Sequence, residues 1–415
     1  MSETITAPGL VQKEWSSNST IEGLYLHLPG RVVVSYDANS TSSVAVTISS
    51  DTPELLDLVS TQVDLRSFDV LIEFGGYDIL VDGDHPVINI TTLHPNQITS
   101  GALLVNVVLN DTVTYLWTQA QTIIRTGVLD TSSATKLKVN VQDNGSLYYA
   151  DTEGINVAEF LIDVSDSALL QLTTPNLAVS SKLSLSAEDN GVIAIAADAT
   201  KAKTIKSDAE DSGAIYIEAT KSFFADKLIS DAEDSGTINY YPQGTCETSK
   251  VDAEDDGSVF IGSIVCVDSY ASASDVGSIV LQTTGILHAS TEDDGVIEYF
   301  NATPSRLPKT HKPSRWFKSR DAQVLHTTKN EYQTYKFLPT PPSEPIAVTL
   351  YPLHSRGYWG WIFGGGSATI ALKATQTPLQ SSMQTSAIVA SVAIMVFVAL
   401  FLFKRASRRP YQRLH

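Results

Sequence analysis

The sequence predicts an all-β protein, a parallel β-helix or β-solenoid with coils of about 20–23 residues, followed by a C-terminal transmembrane α-helix. Three observations lead to this fold class. A turn motif ending in glycine recurs between residues 141 and 300, apolar residues alternate with small or polar ones after each turn, and a long uncharged segment lies near the C-terminus. The chain of 415 residues is 43% hydrophobic and 18% charged, which excludes disorder throughout its length.

The repeat is clearest in the middle of the chain. Residues 186–196 read SAEDNGVIAIA, 207–217 read SDAEDSGAIYI, 230–240 read SDAEDSGTINY and 251–261 read VDAEDDGSVFI. With weaker copies on either side, the aligned positions are Gly145, Ala168, Gly191, Gly213, Gly236, Gly257, Gly277 and Gly295. Their spacing of 18–23 residues is too regular for chance and is typical of a repeat architecture.

Each copy predicts two short strands joined by a tight turn. An Asp, Asn or Ser followed by glycine is the pairing that supplies the positive φ of such a turn. After the glycine, apolar residues such as Ile215 and Ile217 recur at every second position, the period of a strand with one buried face. Because two short strands cannot enclose a core alone, we expect the coils to stack, eight of them rising roughly 34 Å at about 4.8 Å per step.

The two cysteines fit this register. Cys246 lies ten residues after Gly236 and Cys266 lies nine after Gly257, so they occupy nearly matching places on adjacent coils. Stacking brings such Cα atoms to about 5 Å, within the range that a disulfide requires. We therefore predict a Cys246–Cys266 disulfide in an oxidising compartment. The alternative is a pair of buried free thiols in a cytosolic protein.

The flanking regions complete the predicted organisation. The divisions are an N-terminal β region at 1–130 that caps the solenoid, the repeat solenoid at 131–300, a linker rich in proline and basic residues at 301–345, a membrane-proximal segment at 346–385, a transmembrane helix at 386–403 and a basic tail at 404–415. In the first division, RVVVSYD and VAVTIS are separated by the turn-rich ANSTSS and predict a hairpin. IAVTLYPL at 346–353 is a candidate for one further strand.

The end of the chain predicts a single-pass type I membrane protein. Residues 387–403 read AIVASVAIMVFVALFLF, which at about 1.5 Å per residue just spans a hydrocarbon core of roughly 30 Å. Basic residues follow, so the tail is expected in the cytoplasm and the body outside the cell. The opening MSETITAPGLVQKEW has no apolar core of a secretory signal, and we expect an upstream segment to supply one. The alternative is a tail-anchored protein with a cytosolic body.

Composition bears on modification and partners. Six candidate N-glycosylation sites support an extracellular body: Asn18, Asn39, Asn89, Asn110, Asn144 and Asn301. Residues 1–300 hold 13 basic and 43 acidic side chains, a balance of −30, whereas residues 301–415 carry a balance of +12. Because residues 1–300 are so acidic, they repel the phosphates of nucleic acid, which is therefore excluded as their partner.

The sequence contains no catalytic motif that we can identify. It has no G-x-S-x-G, H-E-x-x-H or phosphate-binding glycine loop, and its eight histidines are scattered. We therefore expect no enzymatic activity, no cofactor and no catalytic, cofactor-binding or metal-binding residues.

Carboxylates are the one recurring polar constellation. They occur at each turn: Glu188/Asp189, Glu210/Asp211, Glu233/Asp234, Glu254/Asp255/Asp256 and Glu292/Asp293/Asp294. The simplest interpretation is a solvated acidic ridge, and a calcium-binding repeat module is the alternative. A second alternative is a carbohydrate-active β-helix lyase or hydrolase, which would need a local acid–base cluster near Asp143–Asp151 or Tyr240–Tyr241.

A resemblance to a known family rests on these residues. Turns of the form D-x-G-x-I-x-I at about 20-residue spacing, after GLYLHLPGRVVVSYDANSTSSVAVTIS, resemble the auto-transporter adhesin head domain, or GIN domain, over residues 20–300. That family implies a β-solenoid on bacterial surface proteins, with homologues in eukaryotic microbes such as oomycetes. The AED turns and the membrane span depart from the bacterial pattern. The expected function is adhesion or surface structure through an extracellular protein or glycan ligand.

Overall fold

The computed structural model describes residues 9–352, apart from 68–69, 75–76, 82–83 and 308–322. Its only helix within those residues is α1 (Pro53–Leu58). The N-terminal strands are β1 (Val11–Ser17), β2 (Gly23–His27), β3 (Arg31–Tyr36), β4 (Val44–Ser50), β5 (Val59–Ser67), β6 (Val70–Phe74), β7 (Tyr77–Val81), β8 (Asp84–Thr92), β9 (Thr99–Leu109), β10 (Tyr115–Thr118) and β11 (Gln121–Ile124). The later strands are β12 (Lys136–Val141), β13 (Ser146–Ala150), β14 (Ile155–Val164), β15 (Leu169–Ala187), β16 (Val192–Ala209), β17 (Ala214–Ala232), β18 (Thr237–Pro242), β19 (Gly244–Ala253), β20 (Ser258–Ala273), β21 (Ser278–Thr283), β22 (Leu287–Thr291), β23 (Val296–Phe300), β24 (Gln323–Thr327) and β25 (Ile346–Leu350).

Parallel pairing between coils builds a solenoid with two faces, which confirms the predicted all-β parallel architecture. Face A consists of β8, β2, β10, β12, β14, the second halves of β15, β16 and β17, β19, the second half of β20, and β22. Face B consists of β9, β3, β11, β13, the first halves of β15, β16 and β17, β18, the start of β20, β21, β23 and β24. Each tight turn leads from face A to face B.

The core between the faces follows the period-two pattern. Ile215 and Ile217 are fully buried, and Tyr216 between them is half-buried on the outer side. Small side chains fill the narrow space where the faces meet at the turn: Ala187, Ala209, Ala232, Ala253 and Ala273. The buried Tyr240 hydroxyl lies 2.7 Å from the Ser207 hydroxyl, so its polar group is satisfied within the core.

The turns differ from the sequence-based expectation in one respect. Positive φ falls on the aspartate two residues before the glycine position in all eight copies: Asp143, Asp166, Asp189, Asp211, Asp234, Asp255, Asp275 and Asp293. The glycine is required for another reason. A Cβ at Gly213 would lie 2.0 Å from the carbonyl oxygen of Ala187 on the preceding coil. Glycine therefore permits close stacking of the coils, and aspartate, which tolerates the left-handed region, makes the turn.

The first coils are not stacked in chain order. β2 lies between β8 and β10, and β3 lies between β9 and β11. The predicted hairpin of β3 and β4 is wrong, because both strands pair with β9, β3 in parallel and β4 antiparallel. β1 pairs antiparallel with β4, and β5 pairs antiparallel with β8, so that both cover this end of the solenoid. β6 and β7 form a separate two-stranded antiparallel sheet.

After β24 the chain returns along face B to the N-terminal coils. We call residues 330–345 the return segment. It is extended and without regular pairing, and β25, which follows it, pairs antiparallel with β9. β25 confirms the further strand expected within 346–353. The described part of the predicted linker thus contacts the solenoid along its length.

The disulfide is present as predicted. Cys246 and Cys266 are register partners on β19 and β20, with a Cα–Cα distance of 4.4 Å, and both are buried in the core. The predicted transmembrane helix at 386–403 and the tail at 404–415 lie outside the described residues. Among the residues that the structure describes, no helix has the length and hydropathy to cross a bilayer.

Candidate functional site: the outer surfaces of the solenoid

The turns align their carboxylates in an exposed ridge. The side chains of Glu188, Glu210, Glu233 and Glu254 are all exposed on successive coils. Desolvation raises the pKa of Glu210 and of Glu233, and neighbouring carboxylates raise both pKa values further. In the part of the chain that the structure describes, no group of three or more Asp, Glu, His or Cys is arranged to hold a metal ion.

A second acidic column runs beside this ridge on face A. Asp208, Asp231 and Asp252 are register partners on three successive coils. Burial raises the pKa of Asp231, and the carboxylates of Asp208 and Asp252 add to the effect. Lys206 Nζ lies 3.3 Å from Asp208 Oδ2 and offsets part of this charge. The outer surface near the turns therefore concentrates negative charge that proton binding would relieve.

At the two places where an acid–base cluster was considered, Asp151, Tyr240 and Tyr241 make structural contacts. Asp151 is buried, and its carboxylate accepts hydrogen bonds from the Gly154 backbone N–H and from Thr174 Oγ1 at 3.1 Å. Tyr240 is inside the core, and Tyr241 Oη accepts a hydrogen bond from the backbone of the return segment. These groups hold the fold together.

The six candidate N-glycosylation sites differ in their exposure to solvent. The side chains of Asn18, Asn39, Asn144 and Asn301 are exposed, and Asn110 is half-buried. Asn89, by contrast, is 4% exposed on β8, between β2 and β5. A glycan on Asn89 has no space in the folded protein, so it is the weakest of the six candidates.

Face B carries a track that binds the return segment. Seven of its outward-pointing residues are buried, although alternation would expose them: Val33, Ile123, Tyr148, Gln171, Ala194, Asn239 and Val280. Asn239 Oδ1 accepts a hydrogen bond from the Gln333 N–H at 2.7 Å, and Asn330 Nδ2 donates to Ser263 Oγ at 2.9 Å. The sequence signal for this contact was the presence of apolar and aromatic residues at outward positions, as in LYYA at 147–150 and VFIG at 259–262.

The track ends at a buried arginine. Arg31 Nη1 donates to the carbonyl oxygens of Pro342 and Glu344, the latter at 2.9 Å. Its Nε and Nη2 both donate to Gln121 Oε1, at 2.8 and 2.6 Å, so the guanidinium has a fixed orientation. Nothing in the sequence around Arg31 indicated this role, because its partners lie 311 and 313 residues further along the chain.

A basic groove lies at the corner where face B passes into face A. It crosses β14, β15, β16 and β17 and has a volume of about 480 Å³. Its lining comprises Asn156, Ala178, Val179, Ser180, Lys201, Ala202, Lys203, Phe224 and Asp226. Sequence reasoning missed this groove. The concentration of lysines between residues 182 and 227 of a strongly acidic body was the available signal.

The described residues form a parallel β-solenoid whose face B is covered by the return segment. No family model matches the sequence, and no curated protein matches it. It is similar in structure to a "putative adhesin" of Parabacteroides merdae (12% identity, TM-score 0.29, 77% of this chain and 96% of that chain covered). It is also similar to a "putative adhesin" (12%, 0.31, 77% and 97%) and a "putative lipid binding protein" (11%, 0.26, 77% and 94%), both of Parabacteroides distasonis.

Proposed function

We propose that this protein is a non-enzymatic, membrane-anchored surface protein that presents its solenoid for adhesion or surface structure. The anchor in this proposal is the apolar segment 386–403, with the body extracellular and the tail at 404–415 cytoplasmic. The resemblance of its turns to the GIN domain, and to its homologues in eukaryotic microbes, agrees with such a role.

The return segment is the observation that carries this proposal. It brings the chain from the last coil back to β9, where Leu350 of β25 pairs with Thr99. The described chain therefore continues toward its C-terminus from the capped end of the solenoid. A stapled solenoid of this kind suits display rather than turnover.

The decisive experiment is a topology assay in the native cell, with the gene expressed together with its upstream genomic sequence. We expect a glycosidase to increase the mobility of the protein, and external protease to remove the body while the C-terminal tail stays protected. Protection of the body and no mobility shift would overturn the extracellular orientation.

Adhesion itself is tested on the same cells. Cells carrying the full chain should attach to a host or neighbouring cell surface more strongly than cells that lack it. A chain in which residues 9–306 are replaced by an unrelated folded domain, with the same C-terminal segment, is the control. Equal attachment by both would contradict the display function.

A further inference from the structure

We propose that the corner groove over β14–β17 binds an oligosaccharide that carries anionic groups, carboxylate or sulfate. This inference rests on the proposed surface function and names the chemical class of its ligand. The groove runs parallel to the stacking direction, so successive coils present equivalent positions along it: Asn156, Ala178, Lys201 and Phe224 are register partners.

Irregularities of the strands create the groove. The register shifts between Val157 and Glu159, between Val179 and Lys182, and between Ala197 and Ala199, all at this corner. Such bulges bend the strand and redirect its side chains. The small Ala178 stands between Asn156 and Lys201, and the buried Val179 and Ala202 form the floor. The result is a linear depression rather than a closed pocket, which fits a polymer segment.

The charge of the groove is opposite to that of the body. Lys201 and Lys203 are exposed, and neither forms an ion pair with another described residue. Lys221, outside the groove, is paired with Asp198 at 2.8 Å. Asp226 is the one carboxylate in the lining. Two free ammonium groups beside a single carboxylate make a local anion site in a chain of net charge −18.

The acidic ridge does not cancel this site. Lys203 lies on β16, and Glu210 directly follows the end of that strand seven residues later, so the two are at most about 23 Å apart at roughly 3.3 Å per residue. The Debye length at physiological ionic strength is about 8 Å. The lysines therefore act on a bound ligand locally, while the ridge opposes long polyanions that would extend across the molecule.

The remaining lining favours a sugar. Asn156 and Ser180 offer hydrogen-bonding groups for hydroxyls, and the half-exposed Phe224 offers an apolar ring for the C–H face of a pyranose. A peptide cannot add here as a further strand, because the strand at Lys201 is paired on both sides, with β15 and β17. With Phe224 as its one aromatic ring, the groove lacks the stacked rings on which single-stranded nucleic acid binds.

Binding of the purified full chain to defined oligosaccharides tests this inference. The probes are oligogalacturonate, its fully methyl-esterified form and chondroitin sulfate, measured by calorimetry at physiological salt. We expect one or both anionic probes to bind and the ester to bind at least tenfold more weakly. Carboxylate and sulfate are distinguished by which probe binds more tightly. Equal binding of ester and acid, or no binding of either anionic probe, would overturn the proposal.

Charge-reversal variants locate the site. The double variant K201E/K203E should lose at least tenfold in affinity, and K201R/K203R should retain it. K329E/K336E has the same change of charge at exposed lysines of the other surface and is the matched control. An equal loss of affinity in the control would show that the effect comes from overall charge, and it would overturn the proposed binding site. If K201E/K203E lost the sugar while cells still adhered, the surface function would stand without this ligand as its basis.

Discussion

Gln171 and Leu338 are joined by two hydrogen bonds across 167 residues of sequence. The Gln171 Nε2 donates to the Leu338 carbonyl oxygen at 2.7 Å, and the Leu338 N–H donates to Gln171 Oε1 at 2.8 Å. The side-chain amide thus satisfies both backbone groups of one residue, as a neighbouring strand would. The return segment is held in this way across the outer side of face B, where strands such as β15 and β16 are already paired with both neighbours.

Gln171→Leu should release the return segment near Leu338. The variant removes two hydrogen bonds worth about 1 kcal/mol each, and we expect a loss of roughly 2 kcal/mol in the free energy of unfolding. Limited proteolysis should cut residues 330–345 faster in the variant. Gln243→Leu, at an exposed position, is the control. Equal cleavage rates for Q171L and the unchanged protein would contradict the anchoring role.

Gly213→Ala should destabilise the solenoid strongly. The added Cβ meets the Ala187 carbonyl oxygen at 2.0 Å, and backbone on both coils must move to accept it. We expect a loss of about 2–4 kcal/mol in denaturant unfolding. Gly145→Ala is the matched variant, since its nearest atom lies at 2.9 Å and another copy of the repeat has Ala168 in this place. The prediction fails if the two variants lose the same amount.

Acidification from neutral pH toward the ordinary pKa range of carboxylic acids should stabilise the folded protein. The pKa values of Glu210, Asp231 and Glu233 are raised in the folded state by burial and by neighbouring carboxylates. Between the ordinary and the raised pKa the folded protein binds more protons than the unfolded chain, so the free energy of unfolding rises as the pH falls.

The triple variant E210Q/D231N/E233Q isolates this effect. It should melt at a higher temperature than the unchanged protein at pH 7 and gain less on acidification. Glu331→Gln, on the return segment and remote from the ridge, is the control and should follow the unchanged protein. If the melting temperatures of the triple variant and of the unchanged protein changed equally with pH, the role of the ridge would be contradicted.

Removal of the Cys246–Cys266 disulfide should lower stability by about 3 kcal/mol, the loop-closure value for a separation of 20 residues. C246S/C266S should unfold at lower denaturant concentration than the oxidised protein and be indifferent to reducing agent. Alkylation of the denatured but unreduced protein, isolated from its native cells, should label neither cysteine. Labelling of both would contradict the disulfide in the cell.

The repeating part of this protein could be predicted from its amino-acid pattern. Each coil meets its neighbour through residues about 20 positions away, so the same interactions recur and leave a periodic pattern. Gly213, the apolar partners Ile215 and Ile217, and the matched Cys246 and Cys266 could therefore be placed before the structure was seen. The glycine register was right, although its reason was close stacking rather than positive φ.

Contacts that occur once in the molecule could not be predicted in this way. The insertion of β2–β3 between β8–β9 and β10–β11 depends on competition among similar apolar strands, which local pattern cannot rank. The return segment looks like a linker because proline removes N–H donors and with them any strand signal. Its binding comes from side chains such as Gln171 and Arg31, whose partners lie more than 160 residues away and follow no period.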